Sequence, residues 1–442
     1  MTKYIINGGN VLHGDVRVSG AKNAILPVLS ATLINKGITR ITNCPDISDV
    51  RITAGILKDL GCKVNLIKKK EENIIEVDAT NIEKTTIGSE KARLCRSSIT
   101  FLGAITARFK EAEVAFPGGC IIGDRPIDIH ESLLREMGIE TTRNDSAIKT
   151  KLYRTDCNVE NDKHVYLKFP SVGATENALM AAAGLTESVT VYGAATEPEI
   201  VCLGNYLQKL GVKIQGLGTG CIKIRGLKEY KKDIVTFKII PDRIEAATFL
   251  ISAAGIGDNI KIHGCETSHC LEVINVLKRM GTRIKEHKYT QDGEAIDFLE
   301  ISETSVTKRL NSPGIIIADA YPAFPTDAQS LILPLLSVSK GETFVIDKIF
   351  PKRFKAADEL SKMNADITNT DFGIHIRGRK HLTGNKVQSH DLRGGAAMVI
   401  AGLLAKGQTI VYDKEYIKRG YDGISAKLRA LGADITETQN LS

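Results

Sequence analysis

The sequence predicts an α/β fold built by duplication, and two recurring phrases carry that prediction. In the first, a helix ends in Leu or Met, a cap residue follows, and a strand begins. It occurs at Leu60-Gly61, Met137-Gly138, Leu210-Gly211, Met280-Gly281, Met363-Asn364 and Leu431-Gly432, roughly 70 to 80 residues apart. Glycine supplies the left-handed cap, and asparagine at 364 is the next best residue for it. The second phrase is a helix earlier in each unit: Ala24–Leu33, Ser97–Arg108, Ala174–Gly184, Ile244–Gly255, Ala328–Val338 and Gly394–Leu404. A short strand follows each of these, at Ile38–Ile41, Glu113–Phe116, Val189–Tyr192, Ile260–Ile262, Thr343–Ile346 and Thr409–Val411.

Each element has a local reason. Pro198 to Leu210 has helical apolar spacing, Gly211 stops it, and Val212 to Ile214 opens a strand. Gly216 and Gly218 supply the turn of an antiparallel hairpin within Gly211–Gly226. The lysines of Ile67–Glu71, between strands at Val64 and Ile74, mark a solvated hairpin turn. No GxGxxG follows a strand and no GxxxxGK[ST] occurs, so nucleotide-binding βαβ folds of those kinds are excluded. The six units divide into two sets of three, with the switch near Leu227–Ile234, where Lys228–Lys232 reads as an exposed linker or surface turn. Two lobes with a ligand-binding cleft follow from that division.

A chain of 442 residues is long enough for two or three full cores. No run approaches 18 apolar residues and no signal-peptide core is present, which predicts a soluble, cytoplasmic protein without a membrane partner. The nine cysteines are spread singly without a CxxC pair, as suits a reducing compartment. Cys265 and Cys270, beside His263 and His269, read as scattered helix and loop positions rather than as a metal site. The net charge of +7 is compatible with anionic ligands. There is no tryptophan and no basic stripe bearing aromatics, so no nucleic-acid partner is predicted.

Functional information lies where the units differ, at the start of the early helix. Those positions hold Lys22-Asn23, Arg96, Gly173 with Thr175 and Glu176, Asp242-Arg243, Asp327, and Asp391 with Arg393. A helix N-terminus carries unpaired N–H groups and favours anions, so the basic residues Lys22, Arg96, Arg243 and Arg393 offset no dipole there. Asp242 and Asp391 read as N-caps, whereas Asp327 sits in the unusual run Tyr321–Gln329. Arg419-Gly-Tyr421 is a further candidate, read as an arginine starting a helix where an acid is usual. The strongest local signal is Phe116–His130, whose glycines and prolines build a structured loop around Cys120, with Arg125 nearby to favour a thiolate.

Taken together, eight segments resemble the UDP-N-acetylglucosamine 1-carboxyvinyltransferase family. They are Ser19–Ala24, Pro117–His130 with its Cys120, Ser171–Asn177, Glu197–Val201, Pro241–Ala246, Phe324–Gln329, Asp391–Arg393 and Arg419–Tyr421. The resemblance covers essentially the whole chain; the related 5-enolpyruvylshikimate-3-phosphate synthases lack the Cys-bearing loop. It implies two inside-out α/β barrels, each of three βαβαββ repeats, with residues 22–229 in one and residues 1–21 with 230–442 in the other, and an active site in the cleft. It further implies transfer of the enolpyruvyl group of phosphoenolpyruvate to the 3-hydroxyl of UDP-N-acetylglucosamine. Phosphate is released by addition-elimination, as the first committed step of peptidoglycan synthesis.

By the same resemblance, Cys120 protonates or holds the C3 side, can add covalently to phosphoenolpyruvate, and is the residue alkylated by fosfomycin. Asp327 lies at the sugar hydroxyl as base or orienter, while Lys22, Arg125 and Arg419 hold phosphate and carboxylate. Arg96 and Arg393 are further cleft arginines, Asn23 is a sugar contact, and Ile349 is a wall residue near the sugar. Arg125-Pro126-Ile127-Asp128, on to His130, and Ser171-Val172-Gly173 align with the uridine and diphosphate segments, with Lys163 or Lys168 nearby. No cofactor, metal or obligate protein partner is implied. The sequence departs from the family pattern at Pro351 (usually Glu), Cys202 (Asp), Tyr416 (His) and Lys418 (Asp).

Overall fold

A computed structural model of the chain describes residues 1–69, 72–118, 127–153, 162–230, 234–291, 294–302 and 309–439. The six caps share one geometry. Gly61, Gly138, Gly211, Gly281 and Gly432 have φ between +80 and +108, and Asn364 has φ +68. In each, the next N–H reaches back to a carbonyl five residues earlier: Cys62 to Leu57, Ile139 to Leu134, Val212 to Leu207, Thr282 to Leu277, Ala365 to Leu360 and Ala433 to Leu428. This double turn satisfies the last helical carbonyls and sends the chain straight into a strand.

The repeat is a βαβαββ unit. One example runs from strand Ile315–Ala318 through helix Thr326–Val338, strand Glu342–Asp347 and helix Lys355–Lys362 to the hairpin Asp366–Thr370 and Gly373–Arg377. The early helices are inner helices. Leu392–Leu404 buries every residue except its last, and Arg243–Ile256 is almost as fully covered. The later helices are one-sided; Leu271–Met280 buries Val273, Ile274, Val276, Leu277 and Met280 and leaves Leu271 and Lys278 out. The other inner helices are Lys22–Ala31, Phe101–Phe109 (entered through a 3-10 turn Arg96–Thr100), Val172–Ala182 and Thr326–Val338. Where two inner helices approach closely, glycine makes room: a Cβ on Gly184 would fall 2.4 Å from the Ala107 Cα.

Among the described residues six four-stranded sheets carry these helices, all with one order. The strand after the inner helix pairs in parallel with an edge strand on one side and antiparallel with the later hairpin on the other, as Ile38–Thr42 does between Ile234–Lys238 and Asn73–Asp78. The sixth sheet takes its missing strand from the chain start: Thr2–Asn7 lies antiparallel between Gln408–Asp413 and Asp434–Gln439.

Two compact units result, one from Met1–Ser19 with the described residues from Pro241 onward, the other from the described residues between Gly20 and Ile240. Each has its own apolar core. The crossing from the second unit back to the first falls between Ile240 and Pro241, not between 229 and 230 as the sequence reading placed it, because Ile234–Lys238 is the parallel edge strand of Ile38–Thr42. Before that strand Lys228 and Glu229 are exposed, as the sequence leads one to expect, while their neighbours are anchored. Leu227 N–H donates to the Ala183 carbonyl at 2.9 Å, and Tyr230 packs against the core. Among the described residues no helix is long and apolar enough to cross a membrane.

Candidate functional site

Cys120, Arg125 and Pro126 lie outside the described residues. The other predicted site residues fall into two groups, one in each unit.

In the unit holding Gly20–Ile240, Lys22 is the first residue of its inner helix, and no side chain caps that helix start. Its Nζ lies 2.8 Å from Asp49 Oδ2, with the lysine side chain 13% and the aspartate 1% exposed. Asn23 follows it, half-buried, and Arg96 begins the 3-10 turn that leads into Phe101–Phe109. His130, on helix Asp128–Glu136, is buried, and its Nδ1 lies 2.8 Å from Asn177 Nδ2. Asn177 Nδ2 also donates to the Ile99 carbonyl, and Asn177 Oδ1 accepts from Gly103 N–H. An amide NH2 has only hydrogens to offer, so Nδ1 is the acceptor and the imidazole is neutral. Burial, then the charge of Arg96, pushes the His130 imidazole down to about 4.

His130 is therefore a buried acceptor that packs under the start of a neighbouring helix. A Cβ on Gly173 would stand 3.1 Å from its Cε1, so glycine at 173 lets the helix Val172–Ala182 begin directly over the ring. Ser171 caps that helix, its side chain accepting from Ala174 N–H at 3.4 Å. Ile127 and Asp128 open their own helix, with Asp128 an acid in its first turn. Below them Glu176 is buried beside Glu199 and Glu197; desolvation and those two carboxylates hold it well above the usual carboxylate range. Lys163 Nζ is engaged at the end of a helix, 2.9 Å from the Met137 carbonyl and 3.4 Å from Glu187, while Lys168 is exposed.

In the other unit the three unit-start aspartates part company. Asp242 accepts from Ile244 and Glu245 N–H, and Asp391 from Arg393 and Gly394 N–H, so both are N-caps. Asp327 is not a cap. It lies in the first turn after Pro325, its Oδ1 3.0 Å from Arg353 Nη1 and its Oδ2 3.7 Å from Arg393 Nη2. Arg393 is the largest fully buried side chain of the described residues and lies 5.4 Å over the Tyr421 ring, whose hydroxyl lies 2.8 Å from Thr248 Oγ1. Burial would lower the Arg393 guanidinium, but Asp327 and Tyr421 outweigh burial and hold it above its usual range.

Arg393 Nε and Nη1 and Arg353 Nε are buried without hydrogen-bond partners among the described residues. Buried donors of that kind are costly, and they are what a carboxylate or phosphate oxygen would satisfy. Sequence reading missed Arg353. Nothing local separates it from Lys352 beside it; the fold turns one inward at 4% exposure and leaves the other out. Ile349 is placed by its backbone, since Ile349 and Phe350 N–H both donate to Asp347 Oδ1. Arg419 does not start a helix. It ends the 3-10 turn Ile417–Arg419, and the next helix begins at Ile424, behind Gly423 with φ +64. Arg243 stands 5.5 Å over the Tyr321 ring. Cys265 and Cys270 are buried with their sulfurs 3.8 Å apart, while His263 turns to Asp15 Oδ1 at 2.7 Å.

A model of the EPSP synthase (3-phosphoshikimate 1-carboxyvinyltransferase) family matches residues 6–428. UDP-N-acetylglucosamine 1-carboxyvinyltransferase 2 of Caldanaerobacter subterraneus subsp. tengcongensis is 41% identical over 436 residues, which span 98% of this chain and 99% of the relative. UDP-N-acetylglucosamine 1-carboxyvinyltransferase of Clostridium botulinum is 38% identical over 437 residues, spanning 98% of this chain and 99% of the relative. This chain belongs to the UDP-N-acetylglucosamine 1-carboxyvinyltransferase family.

Among solved structures, the enolpyruvyl transferase NikO from Streptomyces tendae aligns with a TM-score of 0.83 at 22% identity, covering 99% of both chains. EPSP synthase from Acinetobacter baumannii aligns at 0.71 and 19% identity, covering 99% of this chain and 100% of that one. That likeness is one of fold, the inside-out barrel of βαβαββ repeats.

Against the UDP-N-acetylglucosamine 1-carboxyvinyltransferase pattern, the departures at Cys202 and Lys418 are absorbed locally. Cys202 is buried in its helix, and burial pushes its thiol up to about 12. Lys418 pairs with Glu437 at 3.0 Å and Glu415 at 3.2 Å, so its charge is neutralised beside Arg419. Tyr416 N–H donates to Asp413 Oδ1, a role any residue's backbone can fill. Pro351 is exposed in the bend before Arg353.

Proposed function

We infer that this chain transfers the enolpyruvyl group of phosphoenolpyruvate to the 3-hydroxyl of UDP-N-acetylglucosamine and releases phosphate, the committed step of peptidoglycan synthesis. The observation that carries the residue assignment is Asp327. It alone of the three unit-start aspartates in its unit is excused from capping, and it is gripped by Arg353 and Arg393.

The reaction runs by addition and elimination. A proton added to C3 of the enol gives cationic character at C2, the sugar oxygen bonds to C2, and its proton passes to Asp327. Loss of a proton from C3 then restores the double bond as the C2–phosphate bond breaks, so no redox partner is needed. Cys120 is assigned the proton at C3, and Lys22, Arg125 and Arg419 the phosphate and carboxylate charges. Arg96, Arg393 and Asn23 complete the contacts to the substrates, and Ile349 lines the sugar. The helix start at Ser171-Val172-Gly173 and the segment Pro126-Ile127-Asp128 take the diphosphate and uridine, His130 supporting the former from beneath, with Lys168 rather than Lys163 as the neighbouring lysine. The same reading keeps the chain in the cytoplasm with its two substrates.

The test is phosphate release by the purified chain, with each substrate omitted in turn. Release that needs both substrates, and that nearly disappears in Cys120→Ser, supports the reading. No release with both present across a range of pH would sink it. Turnover with shikimate-3-phosphate in place of the UDP-sugar would replace the acceptor.

A further inference from the structure

The two units finish the C-terminal ends of their inner helices differently. In the Gly20–Ile240 unit, Arg108 Nη1 donates to the Leu33, Asn35 and Ala79 carbonyls at 2.8, 3.4 and 2.7 Å, and its Nη2 donates to the Thr80 carbonyl at 3.2 Å. The other unit presents the same set, carbonyls just past an inner helix and just past a hairpin strand. There Arg309 gathers them: Nε donates to Val338, and Nη2 to Ser339, Gly378 and Arg379, at 3.0, 2.6, 3.2 and 2.7 Å.

The two arginines come from different places. Arg108 sits on an inner helix, Phe101–Phe109, whereas Arg309 precedes the parallel edge strand Ile315–Ala318. The segment before the corresponding edge strand Ile234–Lys238 carries Tyr230 instead. Tyr230 packs against its core, its hydroxyl donates to the Ala107 carbonyl near a helix end, and Lys36 Nζ stands 4.8 Å over its ring. In the Arg309 unit the guanidinium has taken the tyrosine's place in the chain, and the described residues that line the space beside it include no ring. A cleft of about 250 Å³, open to solvent on one side, remains at the three helix ends, with Leu310, Leu335, Val338 and Leu404 as its aliphatic lining and Arg309 and Lys380 as its charged lining. An apolar cavity of about 150 Å³ already admits one benzene ring.

We propose that this cavity binds a small phenol, a free counterpart of the ring that Tyr230 supplies in the other unit. The ring enters between the aliphatic walls, and the Lys380 ammonium faces it as Lys36 faces Tyr230. The hydroxyl donates to the carbonyl of Val338, a helix-end residue of the lining whose oxygen takes one hydrogen bond from Arg309.

The probe is 4-methylphenol, titrated into the full chain while the methyl resonances of Leu335 and Leu404 are followed. We expect saturable shifts with a dissociation constant on the order of 1 mM. 4-Methylanisole, which has no hydroxyl proton, should bind about tenfold more weakly. Val338→Phe fills the cavity and should abolish the shifts while phosphate release persists; Leu404→Phe serves if the first variant does not fold. Absence of saturation, unchanged binding in the filled variants, equal binding of the anisole, or displacement by UDP-N-acetylglucosamine would each overturn the proposal.

Discussion

Asp327 Oδ1 stands 3.0 Å from Arg353 Nη1, an ion pair in which the arginine side chain is 3% and the aspartate 26% exposed. The guanidinium is fixed by burial and the carboxylate is left partly open, which is the arrangement a base needs if it is to be held in place and still reach a substrate. Arg353→Met keeps the packing and removes the charge. We expect kcat to fall by about 10²-fold, with Asp327→Asn costing at least as much. Steady-state phosphate release measures both; wild-type turnover in Arg353→Met would remove Arg353 from any positioning role.

Lys22 and Asp49 form a buried pair at 2.8 Å in the other unit. Removing only the lysine takes a cation from beside a buried carboxylate, so Lys22→Ala should lose about 3 kcal/mol of stability along with its activity. Lys22→Ala combined with Asp49→Asn should regain most of that stability and none of the turnover. Denaturant melts and activity on the wild type, Lys22→Ala, Asp49→Asn and the double variant give the cycle. Parallel recovery of both would mean Lys22 is structural.

His130 sets an acid limit on stability. Its imidazole, near 6.5 in an unfolded chain, is pushed to about 4 when folded, so between those values the unfolded state binds more protons. Stability is therefore present in full above about 6.5 and is lost as pH falls toward 4, by on the order of 3 kcal/mol. Urea melts from about pH 4 to 7 should show that slope. The same melts on His130→Asn should show a shallower one, and an identical slope would assign the effect elsewhere.

Glu176 has the opposite sign. Its folded carboxyl is held well above the ordinary 4.5, so above that value the native state binds more protons and this residue's contribution falls as pH rises. Glu176→Gln mimics the protonated form. Its melting temperature should exceed the wild type's, by a margin that widens from about pH 5 to pH 8. A margin that does not change with pH would mean the carboxyl is ionised in the fold.

Much of the fold was legible because its signals are local. All six caps lie where Leu or Met meets Gly or Asn, and all six carry the same reach-back hydrogen bond, since a left-handed residue at a helix end needs no distant partner. Asp242 and Asp391 were legible as caps for the same reason. Arg419 was misplaced because Gly420 and Gly423 break the chain between its turn and the next helix, a spacing that charge alone does not reveal. Ile234–Lys238 alternates as a strand should, but which unit it joins depends on a partner about 200 residues away in the chain.

By itself, then, the sequence determined the repeat, the composition of each inner and outer helix, the family, and which unit starts break the pattern. Only the tertiary structure decided what those exceptions do. Asp327 becomes an ion-pair partner because Arg353 and Arg393, 26 and 66 residues further on, are brought beside it. Of two adjacent cations, Arg353 is turned inward and Lys352 is left exposed. Caps and strand starts are short-range and can be read along the chain, whereas burial and charge pairing depend on residues that meet only after the sheets have closed around the inner helices.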